Sequence, residues 1–178
     1  LYDADDLFHI SSLGFRGEAL PSIASVSEVI LKTCQKETGT LIHMKGGRLL
    51  ENTSAEARVG TSITVSNLFY NTPARLKHLS SIYSELASIT DYVNKMALSY
   101  PKVKFRLIND EKELLTTDGS GKLLKVINAI YGINVTKKMI PVSASNDDYK
   151  ISGYISMPEV NRSSRNYMST IVNGRVIK

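Results

Sequence analysis

The sequence predicts an α+β protein made of two unequal units, and three observations support this fold class. Apolar residues recur at helical spacing from Ser81 to Ser99, before Pro101 ends the stretch. Short β-branched stretches bounded by glycine or asparagine pairs indicate antiparallel hairpins on both sides of that helix. Glycines punctuate the run Asp118–Gly121, which predicts a boundary and therefore units at residues 1–118 and 119–178.

In the first unit we expect short helices followed by strands. Residues 3–10 form the first predicted helix. A second helix begins near Gly17, and Pro21 is tolerated there because the N–H groups of a first helical turn have no helical acceptor. The predicted strands are residues 26–33, 41–44, 48–50 and 60–65, with a turn at Gly46-Gly47 and a loop over residues 51–59. Alternation of small polar and β-branched residues predicts one buried face for the last of these strands.

The later elements are predicted from caps and turn residues. Asn71–Lys77 indicates the start of a helix, with Thr72 as its cap and Pro73 in the first position. A hairpin around Asn109-Asp110 is expected over residues 103–115. A helix over residues 122–131 ends at Gly132, and strands are predicted at residues 139–142, 149–157 and 167–172, the last before an Asn173-Gly174 turn.

Charge is distributed unevenly along the chain, whose net charge is +5. Residues 1–118 carry 13 basic and 14 acidic side chains, whereas residues 119–178 carry 9 basic and 3 acidic ones, a balance of +6. This asymmetry predicts an acidic partner, with nucleic acid favoured over a membrane surface. A merely solvated basic face is the alternative explanation of the same charges.

Composition disfavours several classes of protein. No apolar stretch reaches the roughly 18 residues that a membrane span needs, so no membrane partner is expected. The single Cys34 cannot form an internal disulfide, and His9, His43 and His78 lack the spacing of a zinc site. A reducing, cytoplasmic location follows. The start at Leu1, without an initiator methionine or a leader, suggests a segment of a longer protein.

The most specific motif runs from Gly14 to Leu20, where two glycines bracket Phe15 and Arg16 and the chain then enters a helix through Gly17, Glu18 and Ala19. Glycines allow a backbone to approach a ligand closely, and a helix N-terminus presents unpaired N–H groups and a positive dipole. The motif therefore predicts an anion cradle. A tight turn with a glycine cap explains the same residues without any ligand.

This run resembles the third nucleotide-binding motif of the MutL family of DNA mismatch repair proteins. The family belongs to the ATPase superfamily of gyrase B subunits, ninety-kilodalton heat-shock chaperones and histidine kinases. Residues 22–26 follow the motif as in that family, Asn67–Arg75 resembles its signature after a strand, and Ile171–Arg175 resembles a strand and turn of its second domain. Leu76 stands where the family frequently continues a basic pair, so no role that needs a second arginine is expected there.

The resemblance implies a two-layer α/β sandwich, the later part of the family's ATPase domain, followed by the first part of a transducer domain with a ribosomal-protein-like α+β fold. It also implies that Gly14–Leu20 end a flexible ATP lid and that Thr61 lies at the floor of the nucleotide pocket. A buried structural threonine is the alternative for Thr61. ATP and Mg²⁺ are the implied cofactors.

In that family, hydrolysis uses a glutamate to activate water and an asparagine to hold Mg²⁺, both on a helix that precedes the lid. Neither is expected within this chain. Glu18 is not assigned to the vacant role, because an acidic residue in a first helical turn is favourable by about 0.3–1 kcal/mol for dipole reasons alone. We therefore expect no catalytic residue, no metal ligand and no ATP hydrolysis by these residues by themselves.

Four basic residues on and around the last predicted hairpin are the candidates for DNA contact: Arg162, Arg165, Arg175 and Lys178. Arginine and lysine bind phosphates without reading bases, which produces salt-sensitive and largely sequence-independent binding. The resemblance implies a DNA-binding groove across a homodimer. Ordinary charges flanking a strand are the alternative.

Together with the resemblance, these features predict a bacterial, cytoplasmic and nucleoid-associated ATPase switch. The implied partners are DNA, MutS and either a nicking endonuclease or the protein's own C-terminal domain. A non-enzymatic DNA-binding module is one alternative, for which the basic last third would suffice. A gyrase-B-type topoisomerase subunit is another, and the Asn67–Arg75 signature argues against it.

Overall fold

The computed structural model describes residues 17–164 and 167–177, so the helix predicted at residues 3–10 lies outside the described part. Helices and strands are mixed along the chain, which confirms the α+β class. The chain divides into two compact units between Leu79 and Ser80. This break precedes the boundary that the sequence predicts at Asp118.

The first unit begins with helix α1 (Ala19–Ser25), as predicted, and continues into a four-stranded antiparallel sheet. Its strands are β1 (Glu28–Cys34), β2 (Gly39–Lys45), β3 (Arg48–Ala55) and β4 (Gly60–Ser66), in the spatial order β3-β2-β1-β4. Strand β1 is internal to the sheet and pairs with β2 on one side and with β4 on the other. Ala24 of the helix and Val29 and Cys34 of β1 are buried.

Two glycines make the turn between β2 and β3. Lys45 pairs with Arg48, so Gly46 and Gly47 form a two-residue loop, and their φ angles are +55° and +78°. Two successive positive φ angles are what a type I′ hairpin turn requires. Strand β3 continues to Ala55, whereas the sequence predicts a loop from residue 51. The strand is longer because β2 offers backbone partners as far back as Gly39.

Strand β4 has the predicted position but not the predicted burial. Its residues are all exposed, including Ile63 at 45% and Val65 at 44%. Among the described strands it lies at the edge of the sheet and pairs with β1 alone, while α1 packs against β1 and β2. The expected buried face is therefore not covered by the described residues of this unit.

Helix α2 (Pro73–Lys77) follows the segment Asn67–Asn71, and Pro73 opens it as predicted. Thr72 occupies the cap position, but its side chain makes no capping bond. Within the described residues its buried hydroxyl has no hydrogen-bond partner. The reason lies in the backbone, since the ψ of 71° at Thr72 departs from the extended geometry that aims a capping oxygen at helical N–H groups.

The second unit is built on helix α3 (Ile82–Ser99), which matches the predicted long helix. Its cap, Ser81, accepts a hydrogen bond from the Ser84 N–H at 3.2 Å. A hairpin of β5 (Arg106–Asn109) and β6 (Lys112–Thr116) follows, with Asp110 and Glu111 at positive φ in its turn. Helix α4 (Leu123–Tyr131) then ends at Gly132, as predicted.

A single apolar core joins these elements and explains where the chain divides. Its buried residues come from α3, β6 and α4: Ala97, Leu98, Leu115, Val126 and Ile127. Residues on both sides of Asp118 therefore bury a common apolar surface. The glycine-rich run Asp118–Gly121 is a turn inside the second unit, because a linker between domains would have few contacts crossing it.

The remainder of the second unit consists of one short helix and two hairpins. Helix α5 (Ile133–Thr136) is absent from the sequence prediction, because a single turn is too short to show an amphipathic period. The hairpins pair β7 (Met139–Ser145) with β8 (Lys150–Ser156) and β9 (Thr170–Val172) with β10 (Arg175–Ile177). Tyr167, predicted as the start of the β9 strand, precedes it.

The shared core predicts the response to truncation of Ile127, which is 5% exposed. Ile127→Ala should lower the free energy of unfolding by about 2–5 kcal/mol, since it removes buried methyl groups and leaves a cavity. Urea denaturation measures the change. Ile133→Ala, at a 54% exposed position, is the control and should stay within about 0.5 kcal/mol.

Hydrogen exchange of the Ile127→Ala protein adds a test of the division itself. Amide protection should fall together in α3 and α4. Loss of protection in α4 alone would contradict the shared core and would favour a boundary near Asp118.

Candidate functional site

The glycine motif leads directly into α1, and the structure describes its second half. Gly14, Phe15 and Arg16 lie outside the described residues. Gly17 has a φ of +66°, and a Cβ at that position would meet no atom of the described residues within 4 Å. The glycine is therefore required by backbone conformation and not by packing, and open space adjoins it.

The start of α1 is open to solvent. Glu18 precedes the helix without a capping bond from its side chain, and both Ala19 and Leu20 are exposed. The first N–H of the helix with an intrahelical acceptor is that of Ser22, which donates to the Glu18 carbonyl at 3.1 Å, and Pro21 has no N–H. The amides of Ala19 and Leu20 thus have no acceptor inside the helix.

Thr61 stands next to a cavity at the end of the sheet. Its hydroxyl lies 2.8 Å from the hydroxyl of Thr33, its register partner on β1. Both threonines line a cavity of about 780 Å³ together with Lys32, Ser54, Glu56 and Arg58. No hydrogen bond among the described residues joins Thr61 to Gly17–Leu20.

A carboxylate at the other end of β1 is hydrogen-bonded to three side chains. Glu28 accepts hydrogen bonds from His43 at 2.9 Å, from Lys45 at 3.2 Å and from Asn67 at 3.2 Å. These bonds, with that from His43 contributing most, hold the pKa of Glu28 below its ordinary value of 4.5. The Lys45 ammonium also lies 5.7 Å from the ring centroid of Tyr70.

The segment after β4 contains unusual backbone geometry. Asn67 and Phe69 have φ angles of +53° and +65°. Asparagine tolerates this region, whereas a bulky residue such as phenylalanine adopts it only where the surroundings enforce it, at a cost of about 1–3 kcal/mol. The enforcing contact is a 2.7 Å hydrogen bond from the Phe69 N–H to the Val26 carbonyl.

Among the predicted DNA contacts, Arg162 and Arg175 belong to the described residues, whereas Arg165 and Lys178 do not. The Arg162 guanidinium lies 5.3 Å from the ring centroid of Tyr167, within cation–π range. Arg175 is exposed at the start of β10. The Tyr100 hydroxyl donates to the Gly174 carbonyl at 2.7 Å, which ties this turn to the end of α3.

The structure adds two lysines that sequence reasoning missed. Lys137 and Lys138 line a cavity of about 560 Å³ with Arg162, Asn134, Glu159 and Asn161. Lys138 is ion-paired with Glu159 at 2.5 Å, which leaves Lys137 and Arg162 to give this cavity its net positive charge. The adjacent lysines were the available signal in the sequence, but only the fold shows that they share a cavity with Arg162.

A separate cavity of about 740 Å³ lies along α3 and is lined by three tyrosines, Tyr83, Tyr131 and Tyr167. Burial raises the pKa of Tyr131 above its ordinary value of 10.0. The polar lining of this cavity includes Asp91 and Lys95, which form an ion pair at 2.6 Å.

Residues 17–164 and 167–177 contain no group of three His, Cys, Asp or Glu side chains placed to hold a metal ion. Cys34 is buried and unpaired, and its Sγ donates to the Lys36 carbonyl at 3.6 Å. No helix among the described residues is both long enough and apolar enough to cross a bilayer.

Comparison with known proteins decides the family. Residues 127–178 match the family described as DNA mismatch repair protein, C-terminal domain. The chain is 58% identical over 174 residues to the DNA mismatch repair protein MutL of Listeria monocytogenes, covering 97% of this chain and 29% of that protein. Along the part it covers, the chain belongs to the MutL family. The MutL of Lactiplantibacillus plantarum is 54% identical and is covered to 26%.

Solved structures share the fold of this chain. The Aquifex aeolicus MutL ATPase domain complexed with ADP matches with a TM-score of 0.78 and 25% identity, covering 99% of this chain and 66% of that one. The N-terminal domain of a DNA repair protein has a TM-score of 0.79 at 23% identity, over 94% of this chain and 56% of that one, and shows the fold alone. The chain spans less than a third of the curated MutL relatives.

The Glu28 cluster predicts a pH dependence of stability. Because the folded state lowers the pKa of Glu28 from 4.5, this carboxylate contributes stability that is present above about pH 4.5 and is lost as the pH falls through the lower folded-state value. The wild-type melting temperature should exceed that of Glu28→Gln at about pH 6, and the difference should shrink towards about pH 3.

Thermal denaturation across this pH range measures the difference, with Glu37→Gln in an exposed turn as the control. A constant gap between the wild type and Glu28→Gln at all pH values would remove the cluster as a source of pH-dependent stability.

Proposed function

We propose that the protein to which this chain belongs is an ATP-dependent conformational switch in DNA mismatch repair, and that Gly14–Leu20 contact the phosphates of the nucleotide. The observation that carries this proposal is Gly17, which has a positive φ and, among the described residues, no neighbour within 4 Å of a hypothetical Cβ. A phosphate needs this kind of open backbone approach. The Aquifex aeolicus ATPase domain complexed with ADP supports the same choice of ligand.

Thr61 is proposed to contribute a second part of the nucleotide site. Its hydroxyl is hydrogen-bonded to the Thr33 hydroxyl and borders a cavity that Lys32 and Arg58 also line. A hydroxyl can both donate and accept, so Thr61 can contact a nucleotide group directly or through ordered water. Lys32 and Arg58 outnumber Glu56 in the lining, so the cavity carries a net positive charge, which suits an anionic ligand.

The fit to the implied cofactors is uneven. Exposed amides at the start of α1 and the open backbone at Gly17 suit the phosphates of ATP, which supplies the anionic groups that these residues would hold. Mg²⁺ has no matching set of His, Cys, Asp or Glu ligands among the described residues, so no step is assigned to it here. The role of these residues is binding and orientation.

DNA is the proposed partner of the second unit. Arg162, Arg165, Arg175 and Lys178 are its proposed contacts, and Lys137 joins them through the cavity it shares with Arg162. The +6 balance of residues 119–178 favours phosphate binding without base recognition. Coupling of mismatch recognition by MutS to strand incision, and assembly as a homodimer, follow as proposals from the family.

Nucleotide binding is tested by Gly17→Val in the full-length protein. A β-branched residue at a φ of +66° is strained and its methyl groups occupy the open space beside the backbone, so the affinity for ADP should fall about tenfold or more. Isothermal titration calorimetry measures it.

Gly132→Val is the matched control for this experiment, because Gly132 also has a positive φ, +80°, and open space around it, but ends α4. Wild-type ADP affinity in Gly17→Val would leave the glycine motif as a structural turn. Measured ATP turnover by the wild-type protein separates the proposal from a DNA-binding module without enzymatic activity.

DNA contact is tested by Arg162→Glu and Arg175→Glu. Each change should weaken binding to DNA of any sequence and lower the slope of log affinity against log salt by about one for each phosphate that the variant no longer neutralises. Fluorescence anisotropy over a salt series measures both quantities. Arg48→Glu, an exposed change on β3 in the first unit, is the control, and equal losses in all three variants would point to net charge instead of a site.

A further inference from the structure

The C-terminal end of α1 is held by two segments that are distant in sequence. The carbonyl of Ala24 accepts from the Gly47 N–H at 2.9 Å, and that of Ser27 accepts from the Gly46 N–H at 3.0 Å. The carbonyl of Ser25 accepts from the Asn71 side-chain amide at 2.9 Å. We call Gly46-Gly47 and Asn67–Asn71 together the clasp.

The clasp completes the hydrogen bonding of this backbone. Val26 accepts from Phe69 at 2.7 Å, and the Ile23 carbonyl accepts from the buried Ser27 hydroxyl at 2.6 Å. Every carbonyl from residue 23 to residue 27 therefore has a partner. Helix ends normally leave such carbonyls without an intrahelical donor, so the clasp replaces water or a local cap.

The two halves of the clasp also contact each other. A Cβ on Gly46 would lie 2.5 Å from the Tyr70 hydroxyl oxygen, so a larger residue would displace the tyrosine, and the φ of +55° also favours glycine here. Lys45 lies over the Tyr70 ring, and the Asn67 side chain donates to Glu28. The positive φ angles of Asn67 and Phe69 are thus maintained by contacts on several sides.

Among the described residues, these bonds and the packing against β1 and β2 fix the position of helix α1. It has seven residues, too few for a stable isolated helix, and Ala24 is its one buried residue. Its first turn, which contains Ala19 and Leu20 at the end of the glycine motif, is exposed. A rigid helix of about 10 Å converts a tilt of roughly 20° at one end into a displacement of about 3 Å at the other. The bonds at the C-terminal end therefore set where Gly17–Leu20 lie.

We propose that Asn71 is a positioning residue for the nucleotide site, acting through the Ser25 carbonyl to set the orientation of α1. This inference rests on the proposed nucleotide contact at Gly14–Leu20. It assigns a purpose to part of the Asn67–Arg75 signature. Pro73 opens α2 two residues after Asn71, and both lie in the first unit, which ends at Leu79.

The test is Asn71→Asp in the full-length protein, compared with Asn52→Asp on the exposed strand β3. Both variants add one negative charge to the first unit, but only the first replaces a donor with an oxygen that faces a carbonyl. The dissociation constant for ADP should rise about tenfold in Asn71→Asp and stay near the wild-type value in Asn52→Asp. Wild-type ADP affinity in Asn71→Asp would overturn the proposal.

Hydrogen exchange provides a readout that a change in overall stability would not reproduce. Faster exchange should be confined to Gly17–Ser25 and to the amides of Gly46, Gly47 and Phe69, with the melting temperature unchanged. If Asn71→Asp lowers the melting temperature, Asn71→Ala, which removes the donor without adding charge, decides by the same ADP measurement. Unchanged ADP affinity in that variant also overturns the proposal.

The outcome for the clasp remains separate from that for the nucleotide site. Failure of the wild-type protein to bind ADP would contradict the proposed function. In that case hydrogen exchange still tests the clasp, and unaltered exchange of Gly17–Ser25 in Asn71→Ala would overturn it.

Discussion

The backbone hydrogen bonds of residues 23–34 are the constraint on which the first unit depends. Strand β1 lies inside the sheet, so it needs partners on both sides, and β2 and β4 supply them in matching register from Glu28 to Cys34. The residues just before β1 have no sheet partner. The clasp supplies theirs, and by doing so it ties the turn between β2 and β3 and the segment after β4 to the end of α1.

The second unit depends on burial of apolar surface instead. Helices α3 and α4 and strand β6 contribute to one core, and Val126, at 1% exposure, is among its most buried residues. The matched family region begins at residue 127, within α4, although the structural unit already begins at Ser80. The boundary from sequence similarity and the boundary from packing differ, because α3 and the β5–β6 hairpin pack on α4 although they precede the matched region.

The two units differ in charge and geometry, and so in the ligand proposed for each. The first holds the open glycine and the Thr61 cavity, both suited to an anion, and the second carries the basic excess. Several contacts that organise these sites are not themselves reactive. The Glu28 carboxylate holds Asn67, and the Tyr100 hydroxyl holds the turn before Arg175. Such residues set the position of a site without touching its ligand, and they are invisible to motif reasoning that looks for reactive groups.

The sequence by itself determined the α+β class, the family, the long helix α3, the glycine turns and the glycine motif. These are local or pattern properties: periodicity, positive φ at Gly46-Gly47 and Asn173-Gly174, and short runs of residue identity. The tertiary structure alone decided the extension of β3, the exposure of β4, the missing cap bond at Thr72 and the core that joins both sides of Asp118. It also brought Asn71 to Ser25 and Lys137 to Arg162. The cap bond at Thr72 is lost through its own backbone angle. The other features depend on residues distant in the chain, whose positions are set by packing and hydrogen bonding that local residue preferences do not contain.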